Sequence, residues 1–294
     1  MSNLSDYINH KTFSVYDYQF LLHLKEAPLS EWLNHSPPFD CQDEYLERIH
    51  HLIHQCRSNQ VEGLERFSQR HLINGTTQSF DECYLRNSSK RLRIFKGEYA
   101  YHKRVNPDFC FLEDAPLDEN DYIIISLPFC STGDIHPQMH EIITQAEQKN
   151  IPVEIDCAYF GTCHSIDFDL SSAAIVAVSF SLSKGMGMGD IRSGIRYSDF
   201  DDDFPIAQQN NYRHTVKFAA KMGIHMMKRF DFDYIPKLYR EHQESVCHDL
   251  EITPTKCMHL ALSTKEKHPE FIVDDLYYRV GIREAVKKRK QGRI

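Results

Sequence analysis

Short apolar runs alternate with amphipathic segments along most of this chain. After Gln42 the residues Tyr45, Leu46, Ile49, Leu52 and Ile53 recur at three- and four-residue steps, the spacing of one helix face. A second short helix is expected from Val61 towards Phe67. Beyond Leu72 the pattern changes: residues 92–95, 153–155 and 174–180 read as strands, 122–127 as an apolar run of strand length and 137–148 as a helix. Buried strands interleaved with helices predict a parallel sheet covered on both faces. Between residues 211 and 230, Val216, Ala219, Ala220, Gly223, Met226, Met227 and Phe230 form one helical stripe that leads the chain out of the sheet. The stretch up to about Phe39 is weakly periodic, is set off by Pro37-Pro38 and reads as an arm. The tail is short and polar, and its basic run 287–293 reads as a solvated helix end. The divisions expected are an N-terminal arm and helix (1–55) belonging to a small domain, a large sheet domain (56–230) and a C-terminal small domain (231–294).

Composition narrows the function. With 294 residues, 41% of them hydrophobic, the chain can bury about three quarters of its unfolded surface. Its net charge of −8 argues against nucleic acid and anionic membrane surfaces as partners. A basic start followed by an apolar run is missing, as is any stretch of membrane-spanning length, so a cytoplasmic location is expected. Nine scattered cysteines without a CxxC pair read as free thiols rather than a zinc or disulfide framework.

Chemistry concentrates in four stretches. In Ser181-Leu-Ser-Lys184-Gly-Met-Gly-Met-Gly-Asp-Ile-Arg192, an apolar strand ends and a lysine enters a glycine-rich loop. Burial and nearby cations lower the pKa of such an amine and make it a nucleophile towards an aldehyde. Ser181 and Arg192 can converge on a phosphate as a hydroxyl donor and a bidentate fork. In Ile151-Pro-Val-Glu-Ile-Asp156-Cys-Ala-Tyr159, a strand delivers an aspartate to its carboxyl end, where open parallel sheets bind ligands. Asn74-Gly75-Thr76-Thr77 opens an apparent helix and aims free N–H groups at an anion. In Phe95-Lys-Gly-Glu-Tyr99-Ala-Tyr101, an aromatic pair follows a strand. Alternation along that strand would let only one ring face a site, and Tyr99 is the choice.

Each motif has a plainer reading. Ser181-x-x-Lys184 could be the serine nucleophile and base of a hydrolase, Lys184 a surface lysine, and Asp156 a turn cap. Gly185 to Gly189 lacks the dinucleotide glycine spacing. His50, His51 and His54, or Cys157, Cys163 and His164, could share a metal, but a solvated helix and a packed loop are the simpler accounts, and no metal is expected.

Taken in order, the four stretches resemble fold-type I pyridoxal-phosphate enzymes, and among them the class I/II aminotransferases, over residues 58–197. The resemblance implies an α/β fold: a three-layer α/β/α large domain with a mostly parallel sheet, plus a reduced small domain, since the chain is shorter than members of that family usually are. It further implies pyridoxal 5'-phosphate held as a Schiff base on Lys184, which also shuttles the substrate proton. Ser181, Arg192, Gly75, Thr76 and Thr77 would bind the phosphate, Asp156 the ring nitrogen, Tyr159 the phenolic oxygen, and Tyr99 would stack on the ring. In that family a turn asparagine also binds the phenolic oxygen. Here Pro128-Phe-Cys130-Ser-Thr-Gly133 puts Cys130 in its place, a much weaker donor. Arg279, in Tyr278-Arg279-Val-Gly-Ile-Arg283, resembles the arginine that takes the substrate carboxylate. Amino-acid and 2-oxo-acid substrates and a homodimer follow from the same resemblance. Elimination, decarboxylation or oxidation on the same cofactor, or a noncatalytic binding protein, are the alternatives.

Overall fold

A computed structural model describes residues 4–34, 40–200 and 203–293. Thirteen strands occur among them: β1 (Gln60–Glu62), β2 (Gln69–Ile73), β3 (Arg91–Ile94), β4 (Cys110–Phe111), β5 (Asp121–Ser126), β6 (Val153–Cys157), β7 (Asp167–Asp169), β8 (Ile175–Ser181), β9 (Gly194–Ser198), β10 (Thr253–Pro254), β11 (Leu260–Leu262), β12 (Ile272–Val273) and β13 (Tyr277–Gly281). Seven of these make the main sheet, in the order β2-β9-β8-β6-β5-β3-β4. All run parallel except β9, which pairs antiparallel with both β8 and β2.

Every residue of β5 is buried, as a strand covered on both faces requires. Its alternate side chains divide between two cores. Tyr122 and Ile124 join Leu92, Ile94 and Phe80 of the helix Thr76–Arg86, whereas Ile123 and Ile125 join Met139, Ile142 and Ile143 of the helix Met139–Gln148. Helices therefore cover both faces, and the architecture is α/β with three layers. A four-stranded antiparallel sheet, β10-β11-β13-β12, lies in the C-terminal part, together with the helix Tyr234–Leu250.

The strands fall within a residue or two of their expected positions, and several local expectations need correction. Val61 lies in β1, which pairs with β7, and only a single 3-10 turn, Leu64–Arg66, follows it; the helix expected there does not form. Gly63, at φ +82°, turns the chain between them. The stripe expected between 211 and 230 is carried by one helix, Lys217–Met227 with Val216 as its N-cap, which is shorter than that range because an earlier helix ends at Asn211. The N-terminal stretch, weakly periodic in sequence, contains the helices Tyr18–Lys25 and Leu29–Asn34; Pro37-Pro38 lies outside the described residues. The helix Gln42–Gln55 packs on the helix Lys217–Met227, where Gly223 lets the Tyr45 ring approach. The basic run is the end of the helix Arg283–Lys290, and it is not merely solvated. Lys290 Nζ pairs with the buried Asp17 at 2.7 Å, and Arg289 Nη2 with Asp249 at 2.6 Å.

Topology places the chemistry. The parallel strands β2, β3, β5, β6 and β8 all point their carboxyl ends at one edge, so the turns after them converge there. Strand β9 starts from that edge, because Gly194 pairs with Ser181 at the end of β8. A side chain at Gly194 would meet the Phe180 carbonyl at 2.3 Å. That close approach pins the loop 182–193 against the sheet rim.

Candidate active site

A cleft of about 540 Å³, partly open to solvent, sits at this edge. It is lined by Thr76, Thr77, Tyr99, Ser126, Pro128, Cys130, Asp156, Ala158, Tyr159, Ser181, Ser183, Lys184 and Arg192. Nine of the residues singled out from sequence thus meet in one cavity although they come from five separate turns.

The helix Thr76–Arg86 begins at the cleft. Its N-cap, Gly75, has φ +75°, a conformation that a residue with a side chain adopts only at a cost. A Cβ there would lie 2.7 Å from Arg192 Nη2. Gly75 is therefore at the cleft without lining it, and its lack of a side chain admits the guanidinium. Arg192 Nη2 donates to Thr77 Oγ1 at 2.6 Å, so an arginine fork, a threonine hydroxyl and a helix N-terminus share one corner. Positive dipole, free N–H groups and guanidinium together make an anion cradle.

Ser181 Oγ accepts the Ser183 N–H at 3.1 Å and donates to Ser183 Oγ at 2.8 Å, and both serines line the same cleft. Lys184 Nζ stands 5.3 Å from the centre of the Tyr159 ring. Burial, and secondarily Arg192, lower the pKa of its amine, while Asp156 opposes the shift. The amine is thus biased towards its neutral, nucleophilic form.

Asp156 is 7% exposed. Its Oδ1 accepts the Ala158 N–H at 2.9 Å, so it caps the turn as well as facing the cleft. Burial foremost, with the neighbouring Glu98 charge, pushes its carboxyl up to about 7. Such a carboxylate gains from a cationic partner. Burial likewise raises the Tyr159 hydroxyl, which has Thr12 of the N-terminal segment as a hydrogen-bond partner.

Tyr99 lines the cleft, although not for the reason the sequence suggested. It is the N-cap of the helix Ala100–Val105, so strand alternation does not apply. Its ring stacks on Tyr101 at 6.0 Å and 16°, and Tyr101 donates from its hydroxyl to Asp81 at 2.6 Å. The Cys130 thiol donates to the Gly97 carbonyl at 3.1 Å, and burial holds its pKa far above the ordinary value. It remains a neutral thiol whose proton is engaged by the backbone. Arg279 stands just behind this wall. Its Nη1 donates to the Cys130 carbonyl at 3.1 Å, and Nε has no partner.

Ser126, Pro128, Ala158 and Ser183 also line the cleft and were not foreseen. Ser126 was legible as the last residue of an apolar strand; Ser183 adjoins the lysine. Among the described residues no three or more His, Cys, Asp or Glu side chains are grouped to hold a metal ion, and no helix is long and apolar enough to cross a membrane. His50 Nδ1 instead pairs with the Tyr197 hydroxyl at 2.9 Å, and the Cys163 thiol donates to the Phe160 carbonyl at 3.3 Å.

Solved structures share this architecture along nearly the whole chain. An aromatic aminotransferase from Pyrococcus horikoshii OT3 superposes with a TM-score of 0.65 at 15% identity, covering 95% of this chain and 93% of that one. The chain has the aminotransferase-like fold. A tyrosine aminotransferase from Leishmania infantum matches with a TM-score of 0.65 at 12% identity, over 96% of this chain and 90% of its own. A histidinol-phosphate aminotransferase from Clostridium acetobutylicum matches with a TM-score of 0.58 at 15% identity, over 96% and 95%. No family model and no curated protein sequence matches the chain.

Proposed function

We propose that the protein is a pyridoxal-phosphate-dependent enzyme acting on an amino acid, most simply an aminotransferase that passes the amino group to a 2-oxo acid. One observation carries this reading: a partly buried amine (Lys184), a buried carboxylate (Asp156) and an anion cradle (Gly75, Thr76, Thr77, Arg192) face one cleft. The fit can be tested on the cavity itself. The cradle suits a phosphate; the Asp156 carboxyl, pushed up by burial, suits a protonated pyridine nitrogen; and the amine with lowered pKa suits an aldehyde.

When bound, the cofactor supplies an electron sink for a bond broken at the substrate's alpha carbon. The protein's own groups do the remainder. Lys184 would hold the cofactor through its aldehyde, and its amine would be the base that takes the alpha proton and returns it. Asp156 stabilises positive charge at the ring nitrogen. Tyr159 and Tyr99, which line the cleft, would hold the ring's hydroxyl and stack on its face. Ser181, Thr76, Thr77 and Arg192 would fix the phosphate, and Arg279, which holds the Cys130 carbonyl behind the cleft wall, would take the substrate carboxylate. A homodimer in solution belongs to the same reading.

Cys130 favours a second reading within this chemistry. Its S–H is engaged by Gly97, so the ring oxygen lacks the amide donor usual in transaminases of this fold. An elimination or decarboxylation on the same cofactor is then the competitor.

Purified protein incubated with pyridoxal phosphate should turn yellow, and borohydride should fix the label on Lys184, as read by peptide mass spectrometry. Lys184→Ala should show neither colour nor label, and its activity should fall by at least about a thousandfold. Label spread over surface lysines, with Lys184 unmodified, would sink the reading. A screen of amino acids for 2-oxo acid, ammonia or carbon dioxide then separates transfer from elimination and decarboxylation.

A further inference from the structure

Behind the aromatic wall of the cleft lies a carboxylate that none of these roles uses. Glu98 is 2% exposed. Its Oε2 accepts the Ser126 N–H at 2.9 Å, and its Oε1 accepts the Tyr99 N–H at 2.8 Å and the Ser126 hydroxyl. The Cys130 thiol shares its one proton between this carboxylate and the Gly97 carbonyl. Ser126 and Cys130, at the end of β5 and in the turn after it, and Tyr99, next to Glu98 itself, each line the cleft. Glu98 therefore ties one wall together from behind.

Its position relative to Asp156 gives it more than a packing role. Ser126, which holds Glu98 through two bonds, is the register partner of Asp156 across β5 and β6. Glu98 has no basic side chain bonded to it among the described residues. The charged and titratable groups around this pair are Glu154 on β6, Cys130 in the turn after β5, Tyr99 beside Glu98, Tyr277 on β13, Lys184 and Arg192 lining the cleft, and Arg279 and Arg104 acting on Cys130 and Tyr99. A carboxylate backed by a second carboxylate holds its proton, or a cation, more tightly than one standing alone.

Resting on the function proposed above, we infer that Glu98 is a positioning residue for the cofactor's ring nitrogen. Acting through Asp156, its anchored negative charge keeps a proton on the unit that Asp156 forms with that nitrogen. Burial raises the Glu98 pKa, while the donors from Ser126 and Tyr99 oppose that shift and hold the carboxylate in one place.

The probe is a pair of ligands, pyridoxal phosphate and its 1-deaza analogue, in which a CH group replaces the ring nitrogen. Both present the same aldehyde and phosphate. The wild type should prefer pyridoxal phosphate, and Glu98→Gln should reduce that preference by about tenfold, the equivalent of one pKa unit, while affinity for the analogue stays within about twofold of wild type. Unchanged analogue binding also shows that the cleft is intact. Should Glu98→Gln fail to fold, Glu98→Asp, which withdraws the charge by one methylene, should lower the preference in the same direction by less. Equal losses for both ligands would reduce Glu98 to a structural tie and overturn the inference, as would an unchanged preference. A wild type that attaches neither ligand at Lys184 would overturn the function proposed above and this inference with it; attachment with an unaltered preference would overturn this inference alone.

Discussion

Two charged clusters occupy opposite edges of the same mostly parallel sheet and are built in opposite ways. Near the amino end of β5, Arg93 and Asp121 are 0% and 1% exposed. Arg93 donates to Asp121 Oδ2 at 2.6 Å, to Pro116 O at 2.9 Å, to Phe111 O at 3.1 Å and to the Ala115 carbonyl. Asp121 also accepts Arg91 Nε at 2.8 Å and the Asp118 N–H at 2.8 Å. At the carboxyl end, Asp156 accepts the Ala158 N–H and otherwise faces a cavity with Lys184. The first cluster pairs all its charges within itself, leaving Arg93 Nε without a hydrogen bond, and the second is left open for something else to complete.

Their titrations differ in the same sense. For Asp121 burial works against ionisation, but the donors from Arg91, Asp118 and Arg93 outweigh it and hold the carboxyl below its usual range. It contributes stability above its unfolded-chain pKa that is lost as pH falls through the folded one. Asp156, pushed up to about 7 chiefly by burial, contributes stability below its unfolded-chain pKa that is lost as pH rises through about 7. A group whose ionised form weakens the empty fold is one that a bound cation can repay.

The largest effect expected is at the closed cluster. Asp121→Ala leaves the Arg93 guanidinium buried with only carbonyl partners, and should lower unfolding free energy by about 3–5 kcal/mol in denaturant titrations. The folded fraction should still take pyridoxal phosphate with its normal affinity. A loss below about 1 kcal/mol, the range of exposed pairs, would break the contrast from this side. At the open cluster the order reverses. Arg192→Ala should change stability by less than about 0.5 kcal/mol and weaken pyridoxal phosphate binding by about tenfold to a hundredfold, the worth of one or two hydrogen bonds to a charged group. Calorimetric titration showing unaltered affinity would remove Arg192 from the cradle.

What could be read from sequence follows the same division. Strand-end motifs were legible because their spacing is local: Ser181, Lys184 and Arg192 lie within one loop, and Asp156 and Tyr159 within one turn. The buried strands declared themselves by apolar runs such as 122–127. Strands β2 and β9 were less visible, because they carry His71 and Arg196, buried polar residues whose partners lie on other elements. Glu98 escaped notice because nothing beside it in sequence says that Ser126 will anchor it. Val61 looked helical because a three-residue strand carries too few positions to show a period, and its pairing with β7 is decided about a hundred residues later in the chain. The helix Tyr234–Leu250 went unread because its buried residues, Ile235, Pro236, Tyr239, Gln243, Val246 and Cys247, include a proline and a buried amide that blur the apolar stripe.

His259 falls between the two kinds of cluster, and its substitution is the smallest and finest test. It is fully buried next to the cleft wall, its ring meets Tyr159 edge-on at 4.7 Å and 85°, and neither ring nitrogen has a hydrogen-bond partner. Burial foremost, then the charges of Lys184, Arg279 and Arg283, keep it neutral. A neutral imidazole still has one donor and one acceptor to satisfy, and leaving such groups unmade costs about 1–3 kcal/mol. His259→Leu removes that cost and forfeits the aromatic contact, worth about 0.5–1.5 kcal/mol. The two nearly cancel, so unfolding free energy should stay within about 1 kcal/mol of wild type, on the stabilised side, with pyridoxal phosphate affinity unchanged. If instead the variant keeps its stability but loses affinity for the cofactor or an amino-acid substrate, the imidazole belongs with the open cluster, and that cluster extends into the C-terminal part of the chain.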